Sequence, residues 1–387
     1  MNKENYTNII DFGSNKIRIS VFDNELNEKF FETCKVLIDE NFSNHLDVVT
    51  KIIKSAEKKI SSHIQDIILT LDSKDLFTID ISLKKNLDEN LNLRKLYDTL
   101  VLELNRLIDS YYNQYQILHV LLDNCIIDNK HYDDLPKDIK KAKNIKIDFK
   151  VICFKKNNLE LIKKGFNKCN LNIKNIFCTS YIKSFTYSNK LGLNKASFLE
   201  IGWERSSLMI FENNKLKFIQ TIPIGSFHIT KDISKIFNIS IFEAEKIKKS
   251  FNRTDTEFSY ENNFDNDHIN FGDLIKKNIS IDKLKKVILF RIQEIMDLAF
   301  GSLKNYSFKQ GLIDTELFLI GEGSLLFNNN SFHINDKFNL RSINFYNETD
   351  NQICNSVLIY YLNNYQLSKK TTKNQGLFEK FFNLFSK

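Results

Sequence analysis

The sequence predicts an α/β protein made of two similar halves. Its 387 residues exceed what one ordinary core accommodates. Each half opens on a strand that closes with an acidic residue, one further residue and a glycine: Asp11-Phe12-Gly13, then Glu200-Ile201-Gly202. In both halves a β-hairpin pattern and then helical periodicity follow. That duplication describes two α/β domains facing a cleft.

Asn8 to Phe22 reads strand, turn, strand; the turn is Asp11-Phe12-Gly13-Ser14-Asn15-Lys16, and alternation resumes at Ile17, Ile19 and Val21. Leu46, Val49, Ile52, Ile53, Ala56 and Ile60 recur at helical spacing and predict a helix over 43–64. A strand over 67–71, a helix over 92–110, strands over 115–127 and 145–154 with a loop around Pro136, a helix over 158–169 and a strand over 171–176 complete the first half. The second half reads as strands over 197–201, 206–211 and 216–222, with Asn213-Asn214 as a hairpin turn. After Pro223-Ile224-Gly225-Ser226 a helix starts near Phe227, and helices over 241–251 and 281–303 follow. A strand over 317–320 ends in Gly321-Glu322-Gly323-Ser324, and residues 252–273 are acidic and loop-like.

Composition narrows the function. The six cysteines (34, 125, 153, 169, 178, 354) include no CxxC pair, and with seven scattered histidines there is no zinc pattern. Free thiols in a reducing cytoplasm are the default. Met1 to Thr7 is polar and lacks the apolar core of a signal peptide. No apolar run reaches the ~18 residues of a membrane span. Glycine and proline are scarce, 11 and 2, so glycine positions carry information.

The segment Gly376 to Lys387 stands apart. Set on a helix, Leu377, Phe378, Phe381, Phe382, Leu384 and Phe385 fall within an arc of roughly 160°, with the polar side chains opposite. A polar run from Gln366 to Gln375 precedes it. Lys369, Lys370, Lys373, Lys380 and Lys387 against Glu379 give this tail +4 of the chain's +7. Set aside, that charge leaves no case for nucleic acid. A basic amphipathic helix on a polar leash predicts a foot in an anionic membrane surface; Lys380 sits beside its apolar stripe. The alternative is a helix docked on its own domain. One foot binds weakly and several linked feet bind strongly.

Asp11-x-Gly13-Ser14-x-Lys16 has the parts of a phosphate loop: Gly13 for close backbone approach, Ser14 as donor, Lys16 as counter-charge and Asp11 to hold Mg²⁺ through water. With Glu200-x-Gly202 opening the second half and Gly321-x-Gly323 closing a late strand, the chain resembles the actin/Hsp70/sugar-kinase ATPase superfamily. Glu243-Ala244-Glu245-Lys246-Ile247-Lys248, Ile219 to Gly225, Thr230-Lys231-Asp232-Ile233, Ile117-Leu118-His119-Val120 and the terminal helix resemble the bacterial cell-division FtsA family. The resemblance implies an actin-like two-domain α/β fold with an inserted FtsA-type 1C subdomain. It places 1–75 with 156–190 in subdomain 1A, 76–155 in 1C, 191–235 with 315–365 in 2A and 236–314 in 2B, then a linker over 366–376 and the membrane foot over 377–387. It implies ATP and Mg²⁺ as ligands. Glu245 and Lys248 would lie beside the sugar and base, Gly321 and Gly323 at the adenosine, and Asp11 and Glu200 at the metal. Arg291 would contact the C-terminal peptide of FtsZ; its alternative is a solvated helix charge.

This sequence departs from the family at Trp203 and Glu204, where the second phosphate loop has glycines, at Glu200 for aspartate, and at Glu322 in the adenosine loop. Glu204 would repel phosphate if desolvated. Trp203 is alternatively a core residue. Three readings stay open: Arg205 compensates and binding survives, nucleotide binds without turnover, or the cleft is structural. No water-activating residue stands out, so significant turnover is not expected. The implied function is a self-associating division scaffold that ties FtsZ filaments to the inner face of the plasma membrane at the division site and relays to later division proteins. The rivals are a pilus-assembly actin homologue, which has no need of the terminal helix, and a small-molecule kinase or chaperone-type ATPase, which needs intact phosphate loops.

Overall fold

The computed structural model describes residues 6–36, 42–87, 93–132, 142–253, 279–301, 315–327, 340–346 and 348–363. The chain divides into two compact units: 1–193 with 212–217 and 349–387, and 194–211 with 218–348.

The first unit begins with β1 (Thr7–Phe12), β2 (Lys16–Phe22) and β3 (Glu28–Lys35), then α1 (Phe42–Ile60) and β4 (Asp66–Leu71). An inserted segment holds β5 (Phe77–Asn86), α2 (Leu93–Tyr111), β6 (Tyr115–Ile127), β7 (Lys130–Tyr132) and β8 (Asn144–Lys155). The chain returns through α3 (Lys156–Lys168), β9 (Asn172–Cys178) and α4 (Thr179–Leu191). The main sheet runs β3-β2-β1-β4-β9 and the inserted one β5-β8-β6-β7. β1 and β2 pair antiparallel, while β4 and β9 join in parallel. The inserted sheet buries one face, with Leu96, Leu100, Leu104 and Ile108 of α2 packed in a core with Val120, Ile147, Phe149 and Val151. The spacing of those α2 residues is one apolar side chain per turn.

The second unit repeats the plan. It contains β10 (Lys195–Ile201), β11 (Ser206–Glu212), β12 (Lys215–Ile222), α5 (Ser226–Phe237), α6 (Ile241–Arg253), α7 (Ile281–Gly301), β13 (Glu316–Ile320), a 3-10 turn (Glu322–Phe327) and β14 (Ser342–Phe345). Its sheet order, β12-β11-β10-β13-β14, matches the main sheet of the first unit strand for strand. β10, β13 and β14 are parallel. Asn213 and Asn214 have φ of 51° and 61°, the left-handed pair that a two-residue hairpin requires. α7 buries Leu284, Ile288, Ile292, Ile295, Met296, Ala299 and Phe300 in the core of this unit. At ~1.5–3 kcal/mol for each large side chain, that stripe is what holds the helix.

The helices and strands read from periodicity occur with ends displaced by a few residues. β3, β5, β7, α4, β14 and the helix Asp350–Tyr361 fall where the periodicity assigned nothing. β3 is half-exposed along its length, so no alternation marks it. α4 reads as polar because its buried face is itself polar: Thr179, Ser180, Lys183, Ser184 and Ser188 are buried. α8 (Asp350–Tyr361) clusters with the first unit, against α4, β1 and β2, not with the sheet of the second. Residues around Pro136, most of the acidic stretch 252–273, the linker and the membrane foot lie outside the described residues. Among the described residues no helix is long and apolar enough to cross a membrane.

Candidate functional site

The β1–β2 hairpin of the first unit carries the Asp11 loop. The Gly13 N–H donates to the Lys16 carbonyl at 3.0 Å, closing the turn on itself. Asp11 is 3% exposed. Its Oδ2 accepts from Arg18 Nη1 at 2.8 Å, and its Oδ1 accepts from Thr70 Oγ1 at 3.1 Å and Thr179 Oγ1 at 3.0 Å. Arg18 also reaches Asp350 at the start of α8, through Nε at 2.8 Å and Nη2 at 2.7 Å; Lys16 Nζ joins the same carboxylate at 3.3 Å. Burial pushes the Asp350 carboxyl up, but Arg18 and Lys16 outweigh it and hold it below its ordinary range. Ser14 is exposed, and His45 Nε2 lies 3.2 Å from its carbonyl.

The β10–β11 hairpin of the second unit repeats this geometry: Gly202 N–H donates to the Arg205 carbonyl at 2.9 Å. Glu200 and Arg205 are both buried, and Arg205 Nη2 donates to Glu200 Oε2 at 3.3 Å while Nη1 donates to Ser207 Oγ. The loop also docks on the N-terminus of α5. Ser226 N–H donates to the Gly202 carbonyl at 2.9 Å and Phe227 N–H to the Trp203 carbonyl at 2.8 Å. A helix N-terminus is a ready anion site; here its first donors serve the protein's own carbonyls. Gly225 makes the approach possible, since a Cβ there would lie 2.6 Å from Arg205 N and from the Gly202 and Trp203 carbonyl oxygens.

Trp203 is half-buried and stacks on Phe227, centroids 4.8 Å apart at 17°. The Lys248 ammonium lies over its ring at 4.9 Å. Lys248 and Glu245 are a buried pair at 2.7 Å. Lys248 Nζ also donates to the Ser226 carbonyl at 3.1 Å and to Thr230 Oγ1 at 2.8 Å. Burial pulls this ammonium below its ordinary range, against Glu245, which favours the charge. Glu204 is exposed, so the desolvated repulsion expected of it does not arise. Glu322 is exposed as well. Gly321 has φ of +84° and donates its N–H to Glu348 Oε2 at 3.0 Å, and a Cβ at Gly323 would meet Ile201 Cγ2 at 2.4 Å. Arg291, on α7, makes a bidentate pair with Asp232 at 2.7 and 2.9 Å and also binds Glu294.

The structure thus groups Asp11, Gly13 and Lys16 in one unit, and Glu200, Gly202, Glu245, Lys248, Gly321 and Gly323 in the other. The sequence reading missed Arg18, Thr70, Thr179 and Asp350, and gave Thr230 no role at the site. Arg18 sits on a strand whose alternation drew attention to Ile17 and Ile19; a charge between two core positions was the available signal.

The family model described as cell division protein FtsA matches residues 198–357. A cell division protein FtsA from Helicobacter pylori (strain ATCC 700392 / 26695) is 28% identical over 153 residues, 38% of this chain and 31% of that protein. The FtsA of Buchnera aphidicola subsp. Baizongia pistaciae is 24% identical over 283 residues, 69% of this chain and 64% of the relative. The aligned stretches therefore span less than two thirds of either relative's length. Among solved structures, a PilM-PilN type IV pilus biogenesis complex matches with TM-score 0.60 at 14% identity, covering 98% of both chains. MreB5 of Spiroplasma citri bound to ADP matches with TM-score 0.51 at 13% identity, covering 96% and 99%. The two structures share the fold. Over residues 198–357 the chain is similar to cell division protein FtsA, on a fold it shares with the PilM-PilN complex and MreB5.

Proposed function

We propose that this protein is a division scaffold that ties FtsZ filaments to the inner face of the plasma membrane at the division site. The observation that carries the reading is the FtsA match over 198–357, a stretch that includes Glu245, Lys248 and Arg291. The amphipathic sequence Leu377 to Phe385 with its lysines supplies a membrane foot, and linked copies supply avidity. Self-association and contacts with later division proteins belong to the same role. Nucleotide, where bound, sets conformation and assembly, not turnover. The pilus-assembly alternative draws on fold likeness alone, at 14% identity.

The test is pelleting with anionic liposomes and a labelled C-terminal FtsZ peptide. The full chain is expected to carry the peptide down, and removal of residues 377–387 to abolish pelleting. If the truncated chain still pellets, the foot lies elsewhere. If the full chain pellets and the peptide stays in solution, the division tether fails and the pilus-type role gains.

A further inference from the structure

The superfamily resemblance implies a divalent cation near Asp11 and Glu200, and the donor sets decide whether one fits. Mg²⁺ demands near-octahedral oxygen ligation and keeps several waters. Asp11 is 3% exposed and Glu200 6%. Asp11 offers no oxygen without a donor on it: Oδ2 holds Arg18 Nη1 at 2.8 Å, and Oδ1 holds the hydroxyls of Thr70 and Thr179. Glu200 holds Arg205 Nη2 at 3.3 Å, and Arg205 is itself only 5% exposed. A dication beside either carboxylate would face a fixed guanidinium. The two like charges would repel at close range, and a dication doubles the repulsion of a single charge.

The backbone donors that would greet a phosphate are committed as well. Gly13 and Gly202 donate into their own turns, and the first N–H groups of α5 donate to the Gly202 and Trp203 carbonyls. The same substitution of an internal cation for an external one thus occurs once in each unit, on loops of matching geometry.

We infer that Arg18 and Arg205 are built-in counter-ions that stand in for the divalent cation, so that neither half-site takes up Mg²⁺. Any stabilisation by nucleotide then gains nothing from Mg²⁺ held at Asp11 or Glu200. The inference rests on the Asp11 and Glu200 loops being the superfamily's phosphate loops. It does not rest on the tethering role, which the pelleting assay reports separately.

The experiment is thermal melting of the full chain with ATP plus Mg²⁺ and with ATP plus EDTA, each corrected for its ATP-free control. The wild type is expected to show no difference in Tm between the two arms. Arg18→Gln combined with Arg205→Gln removes both guanidinium charges and is expected to melt higher with Mg²⁺ than with EDTA. A Mg²⁺-dependent rise in the wild type that Asp11→Asn or Glu200→Gln abolishes would overturn the inference. So would a folded double variant with no Mg²⁺ dependence, because the guanidiniums would then not be what excludes the cation. The wild-type comparison requires no variant, so a Mg²⁺-dependent rise there counts against the inference even if the double substitution prevents folding, and a rise in Tm with ATP plus EDTA over the ATP-free control shows that nucleotide is bound.

Discussion

Acid should destabilise the first unit through one residue, His119. It lies on β6 and is 1% exposed. Its Nε2 accepts the Cys178 N–H at 2.9 Å, so the ring is neutral and its proton sits on Nδ1, which faces Tyr360 Oη at 3.4 Å. Phe177, Tyr181 and Tyr360 pack around it. Burial pushes its pKa from 6.5 down to about 3. The unfolded chain takes up this proton first, so stability rises with pH across the window and is lost as pH falls from 6.5 toward 3. At 1.36 kcal/mol per unit, the loss is about 2 kcal/mol by about pH 5 and about 5 kcal/mol at the bottom of the window. His119→Gln places an amide oxygen where Nε2 stood and cannot titrate. His119→Phe leaves the Cys178 N–H buried without an acceptor, at ~1–3 kcal/mol and with no pH dependence of its own. The assay is urea unfolding of the three proteins at several pH values between about 7 and 5, the range over which the calculated loss accrues. The wild type should lose about 2 kcal/mol more than His119→Gln over that range. Parallel curves for those two proteins would refute the reasoning.

Three further outcomes follow from the same structure. Arg205→Met should cost about 3–5 kcal/mol by stranding the buried Glu200 carboxylate, and adding Glu200→Gln should recover most of it; a double-mutant cycle in urea measures both. Gly321→Ala should cost ~1–3 kcal/mol, because alanine resists φ of +84° and its Cβ would lie 2.8 Å from the Ile201 carbonyl oxygen; the denaturation midpoint reports it. Arg291→Ala should cost about 1 kcal/mol or less, its partners being part-exposed, while reducing capture of the FtsZ peptide on liposomes; unchanged capture would remove Arg291 from the peptide site.

Much of this molecule is written locally. The turn at Asn213-Asn214, the apolar stripe of α7 and the strands ending at Asp11 and Glu200 follow from side-chain period and backbone preference, and neighbours in sequence set both. The duplication is legible for the same reason, since each copy carries the same local pattern. The polar face of α4 left no such trace, because burial of serines and a lysine depends on partners distant in the chain.

The candidate residues divide likewise. Residue type and spacing picked out Asp11, Gly13 and Lys16, and the family resemblance added Glu200, Gly202, Glu245, Lys248, Gly321 and Gly323. Neither could say what each would touch. Asp350 lies 332 residues from Arg18 and still shares a charge pair with it at 2.8 Å, and Thr179 reaches Asp11 across 168 residues. Whether a carboxylate faces a metal or a guanidinium turns on placements of an ångström or two between distant strands. Only tertiary packing fixes those placements, and here it set a guanidinium against both Asp11 and Glu200.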